Sequence, residues 1–171
     1  MCFVRSEPFT FAELEAVTLL GRGEIRECVR RGIISAPAEV GQGHHRDYTR
    51  WNLVEGVIAA ALLRQVRAGY VEKMMEWLRN WLELEHIDVE EYCRSPTDAY
   101  IMGYSMYRYR KDEAAEEIAP GNEISPSAAQ TFSSVRDRQA LMRRSGAGFA
   151  GIVVDLRHAV EVTNANIDRL G

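Results

Sequence analysis

Two glycines, Gly21 and Gly32, constrain the first part of this chain more than any other feature, because they confine the helix between them to Arg22 through Arg31. Gly21 permits a tight turn before that helix and Gly32 stops it. Its apolar side holds Ile25, Cys28 and Val29. A first helix precedes it, since Thr10-Phe11-Ala12-Glu13 is a capping box in which each of Thr10 and Glu13 can accept from the other's main-chain amide. Phe9 and Leu14 fit the accompanying hydrophobic staple. This helix is expected to begin at Phe11, turn Leu14 and Val17 inward, and end near Thr18.

On the second helix Arg22, Arg26 and Arg30 follow at i, i+4 and i+8, which lines three guanidinium groups along one side. A helix, a glycine turn and a short helix with one basic side are the parts of a helix-turn-helix; a solvated basic face on an ordinary helix is the alternative. Beyond Gly32, Ile33-Ile34 reads as a short strand, Pro37 to Gly43 as turn material, and His45 to Tyr48 as the returning partner. That hairpin would be a wing. Its tip, Gly41, Gln42, Gly43, His44 and His45, is small or polar and suits approach to a phosphate backbone.

Thr49 caps a third helix with Asn52 at the box position. Leu53, Val57, Ala60 and Arg64 alternate there with the stripe Val54, Ile58, Ala61, Leu62 and Val66, so wide an apolar surface that the helix should be largely buried. Gly69 is expected to end it. Val71, Met74, Met75, Leu78 and Leu82 then make the face of a fourth helix running to about Leu84.

These parts, in this order, resemble the MerR family of bacterial transcription regulators. The resemblance lies in Phe9-Thr10-Phe11-Ala12-Glu13-Leu14, Ile25-Arg26, Gly32-Ile33-Ile34, Arg46-Asp47-Tyr48-Thr49 with Leu53, and the Ala68-Gly69-Tyr70 break, and it covers about half of the chain. The family's opening reads like Y-[ST]-x-x-E-L, its recognition helix holds L-R-x-[YW], and its wing ends in R-x-Y-[ST]. The resemblance implies that Arg26 on the recognition helix, with Arg46 and Tyr48 at the wing, contacts double-stranded DNA. Arg offers a planar charged fork to phosphate or guanine, and Tyr a hydroxyl to phosphate. Arg22, Arg30, His44 and His45 complete the candidate surface. The chain departs from the pattern at Glu27 and Cys28, where the family usually has aromatic residues, and Glu24 and Glu27 place acid on the same surface.

Of 21 basic and 25 acidic residues, eleven of each lie in residues 1 to 84, leaving ten basic against fourteen acidic in the second half. The net charge of −4 is therefore wrong for a protein that coats nucleic acid by bulk attraction, and charge placement has to carry the binding. The longest mostly apolar run, Val54 to Leu63, is broken by Glu55 and is shorter than the ~20 residues of a membrane span. With no apolar signal core near Arg5, Glu7 and Pro8, a cytoplasmic protein of the bacterial nucleoid is expected. Cys2, Cys28 and Cys93 form no CxxC or Cys/His cluster, and adjacent His44 and His45 point to opposite faces of a strand, so neither a disulfide nor a metal is expected. No nucleophile sits beside a base at motif spacing and there is no phosphate loop, so no enzyme and no cofactor are expected.

Two domains are expected: residues 1–84 as the MerR-like winged helix-turn-helix, and 85–171 as a small α+β module for dimerisation or sensing. The fold class is thus mainly α with small β elements. In the second half, Asp88 to Cys93 reads as a helical turn broken by Ser95-Pro96, and Ala99 to Tyr109 as a tyrosine-rich strand. Lys111 to Gly121 reads as charged and turning, Ser127 to Arg144 as a helix, and Ser145 to Gly148 as a linker. Gly151 to Asp155 reads as a buried strand, with Asp155 able to cap a terminal helix. Along that helix Leu156, Val160, Thr163, Ile167 and Leu170 form one seam. The seam and the pair Trp77/Trp81 are candidates for a subunit interface, with packing inside one chain the equal alternative. A homodimer is expected because one short recognition helix reads few bases. The leading expectation is a sequence-specific DNA-binding transcriptional regulator, with a small-molecule effector left open. The alternatives are an architectural DNA-binding factor of a mobile element and a protein-interaction adaptor on a winged-helix scaffold.

Overall fold

The computed structural model describes residues 8–36, 38–39, 46–108, 116–125 and 147–170, with backbone alone for 38–39, 46, 102–108, 116–125 and 147–151. The described elements are mainly helical, with two small antiparallel sheets. By its contacts the chain forms two units, Met1–Pro96 with His158–Gly171, and Thr97–Arg157. The first unit therefore takes in a stretch past Leu84 and the end of the chain, which the sequence reading assigned to the second half.

Helix α1 (Phe11–Thr18) starts where the capping box dictates: the Glu13 amide donates to Thr10 Oγ1 at 3.3 Å, and the Thr10 amide to Glu13 Oε2 at 2.7 Å. A cap of this kind contributes about 1 kcal/mol. The helix stops at Thr18, whose hydroxyl donates to the Leu14 carbonyl at 2.7 Å and accepts from the Leu20 amide at 3.3 Å. The turn is not made by glycine as expected. Leu19 adopts the left-handed conformation, with φ 58, while Gly21 has φ −71 and caps α2 (Arg22–Arg30), its amide donating to Glu24 Oε2 at 2.8 Å.

Gly32, at φ +69, does end α2. Its amide donates to the Val29 carbonyl at 3.1 Å and that of Ile33 to Cys28 at 2.8 Å, the two bonds of a Schellman motif. Those bonds overturn the expected Ile33-Ile34 strand. The Ile33 and Ile34 amides both donate to the Cys28 carbonyl, and both side chains are fully buried. The strand pair lies farther on, in β1 (Ala38–Glu39) and β2 (Arg46–Asp47), with Ala38 opposite Asp47 and Glu39 opposite Arg46. Phe9 and Tyr48 form a separate antiparallel bridge, which ties the start of α1 to the end of β2.

The second capping box also forms: Thr49 Oγ1 accepts from the Asn52 amide at 3.3 Å at the start of α3 (Arg50–Leu63). As its breadth of apolar residues predicts, α3 is buried on nearly every side, from Trp51 to Gly56 and from Ile58 to Ala60. Gly56 is where α1 comes closest, since a Cβ there would collide with Thr18 Cγ2 and touch Leu14 Cδ1 at 3.4 Å. Gly69 does not end this helix. It lies in the first turn of α4 (Ala68–Leu84), whose buried face is Val71, Met74, Met75, Leu78 and Leu82 as the periodicity predicts. Helix α5 (Val89–Arg94) is capped by Asp88, which accepts from the Glu90 amide at 2.9 Å.

The terminal helix α6 (Leu156–Asp168) corrects the interface reading of its seam. Leu156, Val160, Thr163 and Ile167 are buried within the single chain. Polar bonds add to that packing inside the first unit: Asn164 Oδ1 accepts from Arg50 Nη1 at 2.6 Å, its Nδ2 donates to the Cys93 carbonyl at 3.0 Å, and Asn166 Nδ2 donates to the Val17 carbonyl at 3.0 Å. An orphan carbonyl at the end of α1 is thereby satisfied from the other end of the chain.

The second unit contains a three-stranded antiparallel sheet in the order β4-β3-β5. Strand β3 (Tyr100–Arg108) matches the tyrosine-rich segment, whereas β4 (Glu116–Ser125) runs through residues read as charged and turning. Pro120 is tolerated because β4 is an edge strand of these three. Strand β5 (Ala147–Asp155) begins inside the expected linker. The expected Ser127 to Arg144 helix lies outside the described residues. No described helix is long and apolar enough to cross a membrane.

Candidate nucleic-acid interface

Helix α2 is amphipathic: Ile25 and Cys28 anchor one side in the core, and its arginines occupy the other. Their electrostatic states differ. Arg22 Nε donates to Glu15 Oε2 of α1 at 3.2 Å, and its guanidinium lies 5.9 Å from the centre of the Phe11 ring. Arg30 grips Glu27 with both arms of its fork, Nε to Oε2 at 2.7 Å and Nη2 to Oε1 at 2.5 Å. Arg31 joins them, with Nε 2.6 Å from Glu27 Oε1 and Nη1 2.9 Å from Glu72 Oε1 of α4. Hydrogen bonds from Arg30, then from Arg31, hold the Glu27 carboxyl down to about 2, and the same bonds raise both arginines. Arg26 stands apart. It is exposed and, among the described residues, makes no hydrogen bond or ion pair.

Of the expected wing residues, Arg46 is placed in β2 opposite Glu39, while His44 and His45 lie outside the described residues. Tyr48 is a correction. It is 1% exposed, its ring set edge-on to Phe11 with centroids 6.2 Å apart, so the side chain that was to offer a hydroxyl to phosphate is part of the core. Its ring supports Phe11, which in turn carries Arg22. Burial pushes the Cys28 thiol up to about 11, with Glu24 and Glu27 adding to the effect, so it stays protonated and inert. No group of three or more His, Cys, Asp or Glu residues among those described is placed to hold a metal.

The sequence reading missed the most heavily bonded cluster behind this surface. Glu55 of α3 has zero exposure and accepts from the Ser35 amide at 2.6 Å, the Ser35 hydroxyl at 2.8 Å and Arg79 Nη1 of α4 at 2.8 Å. Arg79 Nη2 also donates to the Gly32 carbonyl, and Asn52 Nδ2 to the Ser35 carbonyl at 3.2 Å. The signal was present as one acid inside an apolar helix, which is almost never buried unless paired. Ser35, Arg79, Trp51 and Leu82 also line a surface pocket of about 450 Å³.

No protein-family model matches this chain, and no curated protein matches it.

Proposed function

We propose that the chain is a sequence-specific, double-stranded-DNA-binding transcriptional regulator of winged helix-turn-helix design, with α2 as recognition helix and β1–β2 as wing. Arg26 carries the reading. A guanidinium that is exposed, makes no ion pair among the described residues and projects from a helix anchored by Ile25 and Cys28 suits bidentate contact with guanine or a charged contact with phosphate. Arg22, Arg30 and Arg31 add to it by exchanging part-exposed carboxylates for phosphates, since ion pairs open to solvent hold weakly. The protein acts in the cytoplasm at the nucleoid. Two copies bind together, because a nine-residue helix reads few bases, and they meet on a surface other than the filled α6 seam. The Thr97–Arg157 unit is the sensing or assembly module.

Selection of bound fragments from random duplex DNA, followed by gel shift at several salt concentrations, tests the reading. Arg26→Ala should leave the unfolding midpoint unchanged and cost about 1 to 3 kcal/mol of binding with relaxed preference at one position. Arg46→Ala should weaken all sequences alike. Unchanged affinity in both variants would remove the surface.

One observation favours a second reading, a protein-contacting adaptor. Glu15, Glu24, Glu27 and Glu72 already lie against α2's charges or cap, which leaves its surface nearly neutral. Failure to select any DNA, with capture of a protein partner that Arg26→Ala abolishes, would decide for it.

A further inference from the structure

The Glu55 cluster touches DNA in neither reading of the surface, yet its bonds converge on the link that leaves α2. Glu55 holds the amide and hydroxyl of Ser35, Asn52 holds the Ser35 carbonyl, and Arg79 holds the Gly32 carbonyl while pairing with Glu55. We infer that Glu55 and Arg79 are positioning residues for DNA recognition, a charge pair between α3 and α4 with the carboxylate buried and the guanidinium half-buried, which fixes the Gly32 to Ser35 link and so the placement of α2 relative to the β1–β2 pair. This rests on the DNA-binding reading above.

The choice of chemistry supports the assignment. Ile33 and Ile34 already bury this link with apolar contact, which is strong and non-directional. Stability alone does not call for a charge here, because a buried carboxylate loses on leaving water much of what its ion pair returns, and apolar replacements of such pairs are often neutral or stabilising. What the ions add is direction. A carboxylate accepts from several donors at once, and the Arg fork holds two acceptors on different elements in one plane. Here the two acceptors are Glu55 on α3 and the Gly32 carbonyl just past α2. Arg79 therefore sets a distance and an angle, whereas the isoleucines set only burial.

Arg79→Lys tests this, since it keeps the charge and loses the fork. Binding to the best selected fragment and to unrelated duplex is measured by fluorescence anisotropy, at a temperature where circular dichroism shows every variant fully folded. A role in stability alone leaves affinity unchanged under those conditions. The clamp predicts about tenfold weaker specific binding, equivalent to one lost base contact, with affinity for unrelated DNA unchanged. It also predicts that the loss shrinks in an Arg26→Ala background, because both changes remove the same contact. Ser35→Ala, which deletes one bond to Glu55, gives a smaller loss in the same direction and serves if Arg79→Lys does not fold. Equal affinity of a folded variant overturns the inference, as does additivity with Arg26→Ala. Equal loss on both DNAs makes Arg79 a phosphate contact instead. If the wild type selects no fragment, the DNA-binding reading itself falls and the clamp has nothing to position.

Discussion

Helices α2 and α3 both carry a glutamate that meets an arginine, and the two pairs do opposite work. Glu27 sits on the surface between Arg30, which is exposed, and Arg31, whose other arm meets Glu72. Glu55 has no contact with solvent at all, and its bonds reach two other segments, at Ser35 and at Arg79 of α4. An exposed pair can exchange its partner for a phosphate at small cost, because water and salt already compete for both charges. A buried carboxylate cannot, since leaving it uncompensated in the core is far more costly than the pair. The contrast separates two kinds of ion pair: α2's are open to exchange, and the one anchored on α3 holds the frame.

The largest test of that division is Glu55→Ala. It takes the carboxylate from the Ser35 amide and hydroxyl and from one arm of Arg79, and it should cost about 3 kcal/mol in denaturant unfolding. A cost near that of a surface substitution would mean that the two pairs are equivalent. Next comes a matched pair of glycine substitutions. Gly56→Ala on α3 drives a methyl into Thr18 and should destabilise by about 1 to 3 kcal/mol. Gly23→Ala on α2 meets nothing within 4 Å and should stabilise by about 0.5 kcal/mol through chain entropy alone. Thermal melts of the two variants should therefore move in opposite directions. Two losses would show that α2 is packed on its outer side as well.

What could be read from the sequence follows the same line between near and far. Both capping boxes, the stop at Gly32 and the apolar face of α4 depend on residues within one or two turns, and those were legible. The seam of α6 was legible as a seam but not in direction, because one apolar stripe suits a partner chain and a neighbouring helix alike. Tyr48 fitted a wing motif by its spacing, yet the Phe9 bridge and the Phe11 ring, nearly forty residues upstream, draw it inward. Strand β4 was hidden by Pro120 and Gly121, which signal a turn unless the strand is known to lie at an edge. Glu55 was noticed only as an interruption of an apolar run. Its partners lie 20 and 24 residues away in sequence, beyond any local pattern.

The smallest expected effect on stability, and the sharpest probe of α2, comes from Glu27→Gln. The Glu27 carboxyl titrates at about 2 in the fold against an ordinary value of 4.5, so its ion pairs favour the folded state above about pH 4.5 and lose that contribution as pH falls toward 2. The variant lacks this dependence. Its unfolding midpoint should lie slightly below wild type at neutral pH, and the difference should close across that acid window and shrink in high salt, because the pair is exposed. On the proposed DNA-binding reading, affinity should move the other way. With Glu27 neutral, Arg30 loses its ion pair, Arg31 keeps only that with Glu72, and one negative charge leaves the surface, so affinity should rise. If both arginines reach phosphate, the slope of log affinity against log salt should steepen by up to about 2. A gain in affinity with no change in slope would mean that only repulsion was relieved. No gain at all, with the acid-limb difference still present, would place Arg30 and Arg31 off the DNA and leave the proposed reading of a site by α2 to Arg26.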